Sequence, residues 1–213
     1  MMSDRAPALA LGLYLIGLVA AFGVRPWLHR ARTGSTGFRG ISGAAGSAGW
    51  WGGILFAAAL LLGATAPTLA LTGTVVPPRQ SEVFTWAGLV ITVLGFLGVL
   101  ASQAGMGASW RVGVDATERT ELVTTGAFAV VRNPIFTAML TTLAGLTLMV
   151  PTMVSAAAWL CLLVAVELQV RCVEEPYLLA THEQDYAVYA AVVGRFLPGL
   201  GRIHPAPKSG GIP

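Results

Sequence analysis

The chain has 213 residues, 55% of them hydrophobic and 11% charged, with a mean hydropathy of +0.72 and a net charge of +3. A soluble domain carries about 25% charged residues, so the composition excludes an ordinary water-soluble fold and predicts an all-α, polytopic membrane protein. The positive balance is almost all arginine, Lys208 being the one lysine; in so apolar a chain it reads as membrane topology rather than nucleic-acid binding. Cys161 and Cys172 suggest neither a disulfide framework nor a metal site.

The first apolar run, Ala8 to Val24, is just long enough to span at about 1.5 Å per residue. Arg25-Pro26-Trp27 and more spans follow it, so an anchor is expected rather than a cleaved signal. Arg25, Arg30, Arg32 and Arg39 then crowd a Gly/Ser-rich loop that ends near Gly49. Trp50-Trp51 opens a second span, to about Leu71, as an interfacial aromatic pair would. A short loop with Pro77-Pro78 and Arg79 leads to a third span, about Val83 to Ala104, where Gly88, Gly95 and Gly98 predict close helix contact. Residues 105–133 form a long polar interval. Pro134 to Val150, a Pro151-Thr152 turn and Met153 to about Val170 then make a hairpin of two antiparallel spans.

Three regions result: a three-span N-terminal part (1–104), a core of interfacial segment, hairpin and closing helix (105–200), and a flexible tail (201–213). Eleven of the thirteen Lys and Arg residues fall in the first loop, the 105–133 interval and the C-terminal stretch; Arg5 and Arg79 fall on the other side. With about five spans, this distribution puts the N-terminus outside and every segment able to do chemistry on the cytoplasmic face.

Two constellations stand out. Leu122 to Phe136, LVTTGAFAVVRNPIF, is broken at Gly126 and carries Arg132 where the chain enters lipid. A spanning helix does not need that arginine, whereas a site for an anionic or zwitterionic ligand does. The fifth span ends VELQVRCVEEPYL, with Glu167, Arg171, Glu174 and Glu175 at i, i+4, i+7 and i+8, on one helix face. Burying Glu167 unpaired would cost about 2.5–3.5 kcal/mol, so Arg171 is its natural partner, either as a staple of the helix end or in a binding site. The adjacent carboxylates of Glu174 and Glu175 call for something cationic nearby. Pro176 is expected to kink or stop the helix near Glu175 and to open a new one. Leu178, Leu179, His182, Tyr186, Tyr189 and Val193 then recur at helical spacing, which describes an amphipathic surface helix with His182 solvated. Arg195-Phe196-Leu197-Pro198-Gly199 ends it.

LVTTGAFAVVRNPIF, the hairpin, VEEPYL and DYAVYAAVVGRFLPG occur in order over about residues 109–200. Together they resemble the isoprenylcysteine carboxyl methyltransferase and phospholipid methyltransferase superfamily. The resemblance implies an integral membrane enzyme whose cofactor is S-adenosylmethionine, held by the Arg-His-Pro region and the paired glutamates and closed in by the C-terminal helix. Carried over by position, it sets Leu122, Val123, Gly126, Phe128 and Phe136 along the cofactor. Arg132, Asn133, Glu174, Glu175 and Tyr186 contact it as well, with Arg132, Glu174 and Glu175 as the catalytic set. Glu167, Arg171, Tyr189 and Arg195 fall toward the acceptor. Two departures occur. Asn133 stands where histidine is common, which with Glu-Glu-Pro looks more like the phospholipid methyltransferase branch. Glu183 stands where a glycine is usual before Tyr186.

The chemistry agrees with this reading. Arginine can hold the cofactor's carboxylate, and glutamate its ammonium or a ribose hydroxyl. Methyl transfer is an in-line displacement that discharges a sulfonium, so the protein has to align the reactants and exclude water. A carboxylate or thiolate acceptor needs no base, while an amine could lose its proton to Glu174, Glu175 or Tyr186. The implied partners are the bilayer and a lipophilic or small acceptor: a prenylcysteine, a phospholipid amine, a small thiol or an isoprenoid acid. Two readings compete. A sterol-reductase-like enzyme would need more basic residues for the NADPH 2′-phosphate than Arg111, Arg119 and Arg132. A non-catalytic membrane scaffold draws its best argument from Asn133.

Overall fold

The computed structural model describes residues 2–34, 40, 43–107 and 121–203. The helices are α1 (Met2–Leu18), α2 (Arg25–Thr33), α3 (Ala48–Leu71), α4 (Glu82–Gly105), α5 (Pro134–Met149), α6 (Met153–Gln169) and α7 (Glu175–Val192). Among the described residues the β contact is an isolated parallel bridge, Val131 with Gly194. Asp4–Ala31, Ala48–Leu71, Glu82–Gly105 and Met153–Val192 are helical stretches long and apolar enough to cross a membrane, and Pro134–Met149 is a shorter apolar helix. These four and the shorter fifth make the expected polytopic, all-helical architecture. Arg39, Arg111, Arg119, His204 and Lys208 lie outside the described residues.

The first helical stretch overruns its expected end. Arg25 and Arg30 ride on α2 instead of a loop, because a π turn, Val19–Val24, joins α1 to α2. The same device recurs at Val170–Glu174, between α6 and α7. In each case the residue just before a proline closes the wide turn: Arg25 N–H donates to Ala20 O ahead of Pro26, and Glu175 N–H to Val170 O ahead of Pro176. Proline normally clashes with the carbonyl four residues back, and a turn opened to i→i+5 relieves that crowding. The helix therefore runs through Pro176, where a stop or kink was expected. From Met153 to His182, before the break in α7, about 30 residues at about 1.5 Å each exceed the ~30 Å hydrocarbon thickness. The far end must leave the lipid.

Helix pairing follows from small residues. α5 lies along α4 and α6 along α3, so the two arms of the α5–α6 hairpin diverge above their turn and pack on different partners. A Cβ on Gly145 would sit 2.5 Å from the Thr92 backbone nitrogen and one on Gly95 2.6 Å from that of Thr142. The backbones of α4 and α5 thus touch, as the glycines of the third span predicted. Between the pairs lies a core of Leu143, Leu146, Met149, Leu162, Val166, Ala59 and Tyr14. The ends are fastened by polar side chains. Thr152 and Ser155 form a capping box at the start of α6, and Gln80 Nε2 donates to the terminal carbonyl of Leu148 at 2.8 Å. At the opposite end of the bundle, Arg25 Nη2 donates to Gln103 O at 2.7 Å and Gly107 O at 3.2 Å, closing the C-terminus of α4. That end also gathers the start of α5, the end of α6 and all of α7.

α7 breaks at Glu183, with φ 43° and ψ −114°. A side chain rarely adopts this conformation, which costs about 1–3 kcal/mol. It is also the position at which the resemblance leads one to expect a glycine, the residue that suits this backbone.

Two outcomes follow. Gly145→Val is expected to force α4 and α5 apart and to cost about 1–3 kcal/mol or more, seen as a lowered unfolding midpoint in detergent; an unchanged midpoint refutes the backbone contact. Glu183→Gly is expected to raise stability by about 1 kcal/mol, and a loss of stability in the same assay would show that the break is unstrained.

Candidate functional site

Three segments far apart in sequence meet on one carboxylate. Glu175, its side chain 8% exposed, forms an ion pair with Arg132, Oε1 lying 2.9 Å from Nη2. Arg195 grips it with two bonds, Nε to Oε1 at 2.7 Å and Nη2 to Oε2 at 2.8 Å. Such a fork is the strongest geometry available to the pair. Glu175 holds the Arg195 proton by these bonds and raises its pKa, overriding the effect of burial. Arg132 is the more deeply buried guanidinium, its side chain 1% exposed. Its Nη2 also donates to Gly201 O at 2.7 Å, and its Cζ lies 5.9 Å from the centroid of the buried Tyr186 ring. Its Nε and Nη1 are buried without a hydrogen-bond partner among the described residues. The Arg–Glu–Arg cluster carries one net positive charge and two unused donors.

Backbone pairing holds the cluster in place. Arg132 N–H donates to Gly194 O at 2.8 Å, and Asn133 N–H to Arg195 O at 3.1 Å. The Asn133 side chain adds a second donor to that carbonyl, from Nδ2 at 3.2 Å, and Thr137 Oγ1 donates to Phe196 O at 2.9 Å. The chain then doubles back: Arg195 N–H donates to Leu200 O and Ile203 N–H to Ala190 O. A Cβ on Gly194 would meet Leu197 O at 2.1 Å, so only glycine permits this loop. Gly201 and Ile203 belong to it, not to a loose tail. Tyr189 OH donates to Phe128 O at 2.6 Å, pinning α7 to the short 3-10 turn Gly126–Ala129.

The residues expected to share one pocket divide accordingly. Arg132, Asn133, Phe128, Glu175, Tyr186, Tyr189 and Arg195 come together. Leu122 and Val123 are half-buried at the start of the same segment, while Gly126 is exposed at the turn. Phe136 packs against the apolar core instead, being the first turn of a helix that enters the bundle. Glu174 is half-buried and lies close enough to Tyr186 to act on it electrostatically.

Glu167 and Arg171 form an exposed i,i+4 pair. They do not share a face with both acids, because the π turn adds a residue between them and Glu175 and shifts the helical phase. Glu167 still contributes to the field at Arg195. His182, expected to be solvated, has a buried Nε2 with no hydrogen-bond partner among the described residues. It precedes the break at Glu183, which no periodicity argument anticipates.

Residues 83–185 match the family model of the phospholipid methyltransferases. The match begins at the third span, upstream of the motifs that suggested it, and ends one residue before Tyr186. No curated protein and no solved structure matches the chain.

Removing Glu175 leaves two guanidiniums facing each other in a buried site. Glu175→Ala is expected to cost about 3–5 kcal/mol of stability, against at most about 1 kcal/mol for Glu174→Ala. Equal losses in detergent unfolding would show that Glu175 is not the tie.

Proposed function

We propose that this chain, whose residues 83–185 belong to the phospholipid methyltransferase family, takes its methyl group from S-adenosylmethionine and transfers it to a lipophilic or small acceptor. The acceptor would offer a carboxylate, amine or thiol. The family match and the apolar helices support reading the chain as an integral membrane methyltransferase, and the cofactor, the acceptor and the sidedness extend that reading. The observation that carries it is Arg132, buried, charged and holding two donors with no hydrogen-bond partner among the described residues. Nε and Nη1 point to different sides of the guanidinium, so each suits its own acceptor, and a ligand carboxylate would take one of them in a charge-assisted bond.

Arg132 would hold the cofactor's carboxylate, and Glu174 its ammonium group. Glu175 has a different task. With both its oxygens committed to Arg132 and Arg195, it is a positioning residue that fixes the direction of the Arg132 fork. Phe128, Tyr186 and Tyr189 close the site from above and exclude water, and Leu122 and Val123 offer backbone groups along its edge. Bound S-adenosylmethionine supplies an electrophilic methyl group on a sulfonium. The chain's contribution is alignment in a dry site and, for an amine acceptor, a carboxylate at Glu174 placed to accept the proton. The arginine distribution supports an N-terminus outside and a site open to the cytoplasm. Glu167 and Arg171 would then border the approach to the site.

Calorimetric titration of the detergent-solubilised protein with S-adenosylmethionine, and separately with NADPH, tests this. S-adenosylmethionine should bind and NADPH should not. Arg132→Ala and Glu174→Gln should each weaken binding at least about tenfold, the usual worth of a charged hydrogen bond, with helical content retained. Binding of NADPH alone would overturn the proposal, and normal binding by both variants would overturn the site.

A further inference from the structure

A further buried polar group lies at the same end of the bundle as the Arg–Glu–Arg cluster and takes no part in it. Gln103, in the last turn of α4, is 4% exposed, and its Oε1 is buried with no hydrogen-bond partner among the described residues. Its backbone is held, since Arg25 Nη2 donates to Gln103 O at 2.7 Å. The side-chain oxygen is the part left open. An amide oxygen accepts and cannot donate, and buried acceptors in native proteins are rarely left unanswered. What fits it is an N–H or O–H brought from outside the chain.

The register of α4 on α5 sets the height of this oxygen. A Cβ on Gly88 would meet Met149, one on Gly145 would meet Thr92, one on Gly95 Thr142 and one on Gly98 Ala138. The two helices advance in opposite directions at the same pace. Five residues past Gly98, Gln103 therefore falls opposite Asn133 and Pro134, within two residues of Arg132. Gln103 also comes four residues after the buried Val99, so it continues the face that α4 turns inward. α4 packs as well on the 3-10 turn Gly126–Ala129, to which Tyr189 OH is tied. An unanswered acceptor thus lies at the level of the charged cluster, facing the interior.

We propose that Gln103 is a specificity-determining residue for the methyl acceptor, its Oε1 receiving an N–H of an acceptor amine. The inference rests on the methyl-transfer reading and narrows it, because a carboxylate or a thiolate has no hydrogen to give. It also limits how many methyl groups one nitrogen takes. In each transfer the nitrogen lone pair forms the new bond to carbon while the carbon–sulfur bond breaks and its electrons stay on sulfur. The nitrogen then gives up a proton to the Glu174 carboxylate. An acceptor held by Gln103 must offer a lone pair and an N–H together. Primary and secondary amines offer both. A tertiary amine has an N–H only when protonated, and then it has no lone pair. Transfer to a primary amine accordingly ends at the tertiary product.

The full-length protein in detergent, supplied with methyl-labelled S-adenosylmethionine, is offered decylamine, N-methyldecylamine and N,N-dimethyldecylamine. The first two should be methylated at least about tenfold faster than the third, as expected of a site that hydrogen-bonds its substrate and meets an analogue lacking the donor. Mass spectrometry should find decylamine converted to the dimethyl product. Gln103→Met, of similar length and without the amide oxygen, should erase the preference for the secondary over the tertiary amine. Gln103→Glu, which keeps an acceptor oxygen, should preserve it, and both variants should bind S-adenosylmethionine as the parent does. Equal rates for the secondary and tertiary amines in the parent overturn the proposal, and so does a preference that survives in Gln103→Met. A parent that binds S-adenosylmethionine and methylates none of the three amines also overturns it, with the cofactor site left standing. If S-adenosylmethionine does not bind, the methyl-transfer reading falls and this proposal falls with it.

Discussion

A carboxylate buried between two guanidiniums sets the terms for everything around it. Glu175 alone at 8% exposure would face a desolvation penalty of several kcal/mol, and so would either arginine. Each charge is tolerable only while the others are in place. Arg132 sits at the entrance to α5, Glu175 at the start of α7 and Arg195 in the loop beyond it, so this mutual dependence joins three segments that share no local contact. The triad alone leaves one positive charge over, and Glu174, the preceding residue, brings a second carboxylate to the same end of the bundle.

Glu175 closes the π turn before Pro176, its N–H on Val170 O, and its carboxylate is buried against Arg132 and Arg195. The bundle does the same at Arg25, which precedes Pro26 after its own π turn and reaches the C-terminal carbonyls of α4. In both places the proline does not end the helix. It accompanies a local widening that brings a charged side chain to the interior at the polar end of the bundle.

Much of this was legible in the sequence, for reasons that differ by feature. The spans and the glycine contacts of α4 rest on composition and spacing, which local chain carries directly. Gly145, their counterpart on α5, was not singled out, because a lone glycine in an apolar run looks the same whether it faces a helix or lipid. The pairing of Arg132 with the glutamates came from motif resemblance; that Arg195 grips the same carboxylate did not, since it was placed toward the acceptor and no spacing rule joins residues 132 and 195. The π phase was not legible: a helical wheel assumes the regular period that the π turn abandons. Nor was the break at Glu183, a single backbone torsion that side-chain periodicity does not encode. The sequence does mark that place, through the glycine that the family pattern has and this chain lacks. Phe136 was read from its nearness to Arg132, although one turn of helix is enough to carry it into the core.

Asn133 can now be weighed by what it does. Its side-chain nitrogen and its backbone nitrogen converge on the same carbonyl, that of Arg195, so its bonds go to the closing loop and not to the charged cluster. The charges that would meet a ligand belong to Arg132, Glu174, Glu175 and Arg195, and none depends on the residue at 133 being basic. Exchanging histidine for asparagine there alters how the loop is fastened and leaves the electrostatics of the site unchanged. A non-catalytic scaffold would need the opposite, a fastening kept and a charge cluster lost. Here the cluster is intact, and two of the Arg132 donors have no partner among the described residues.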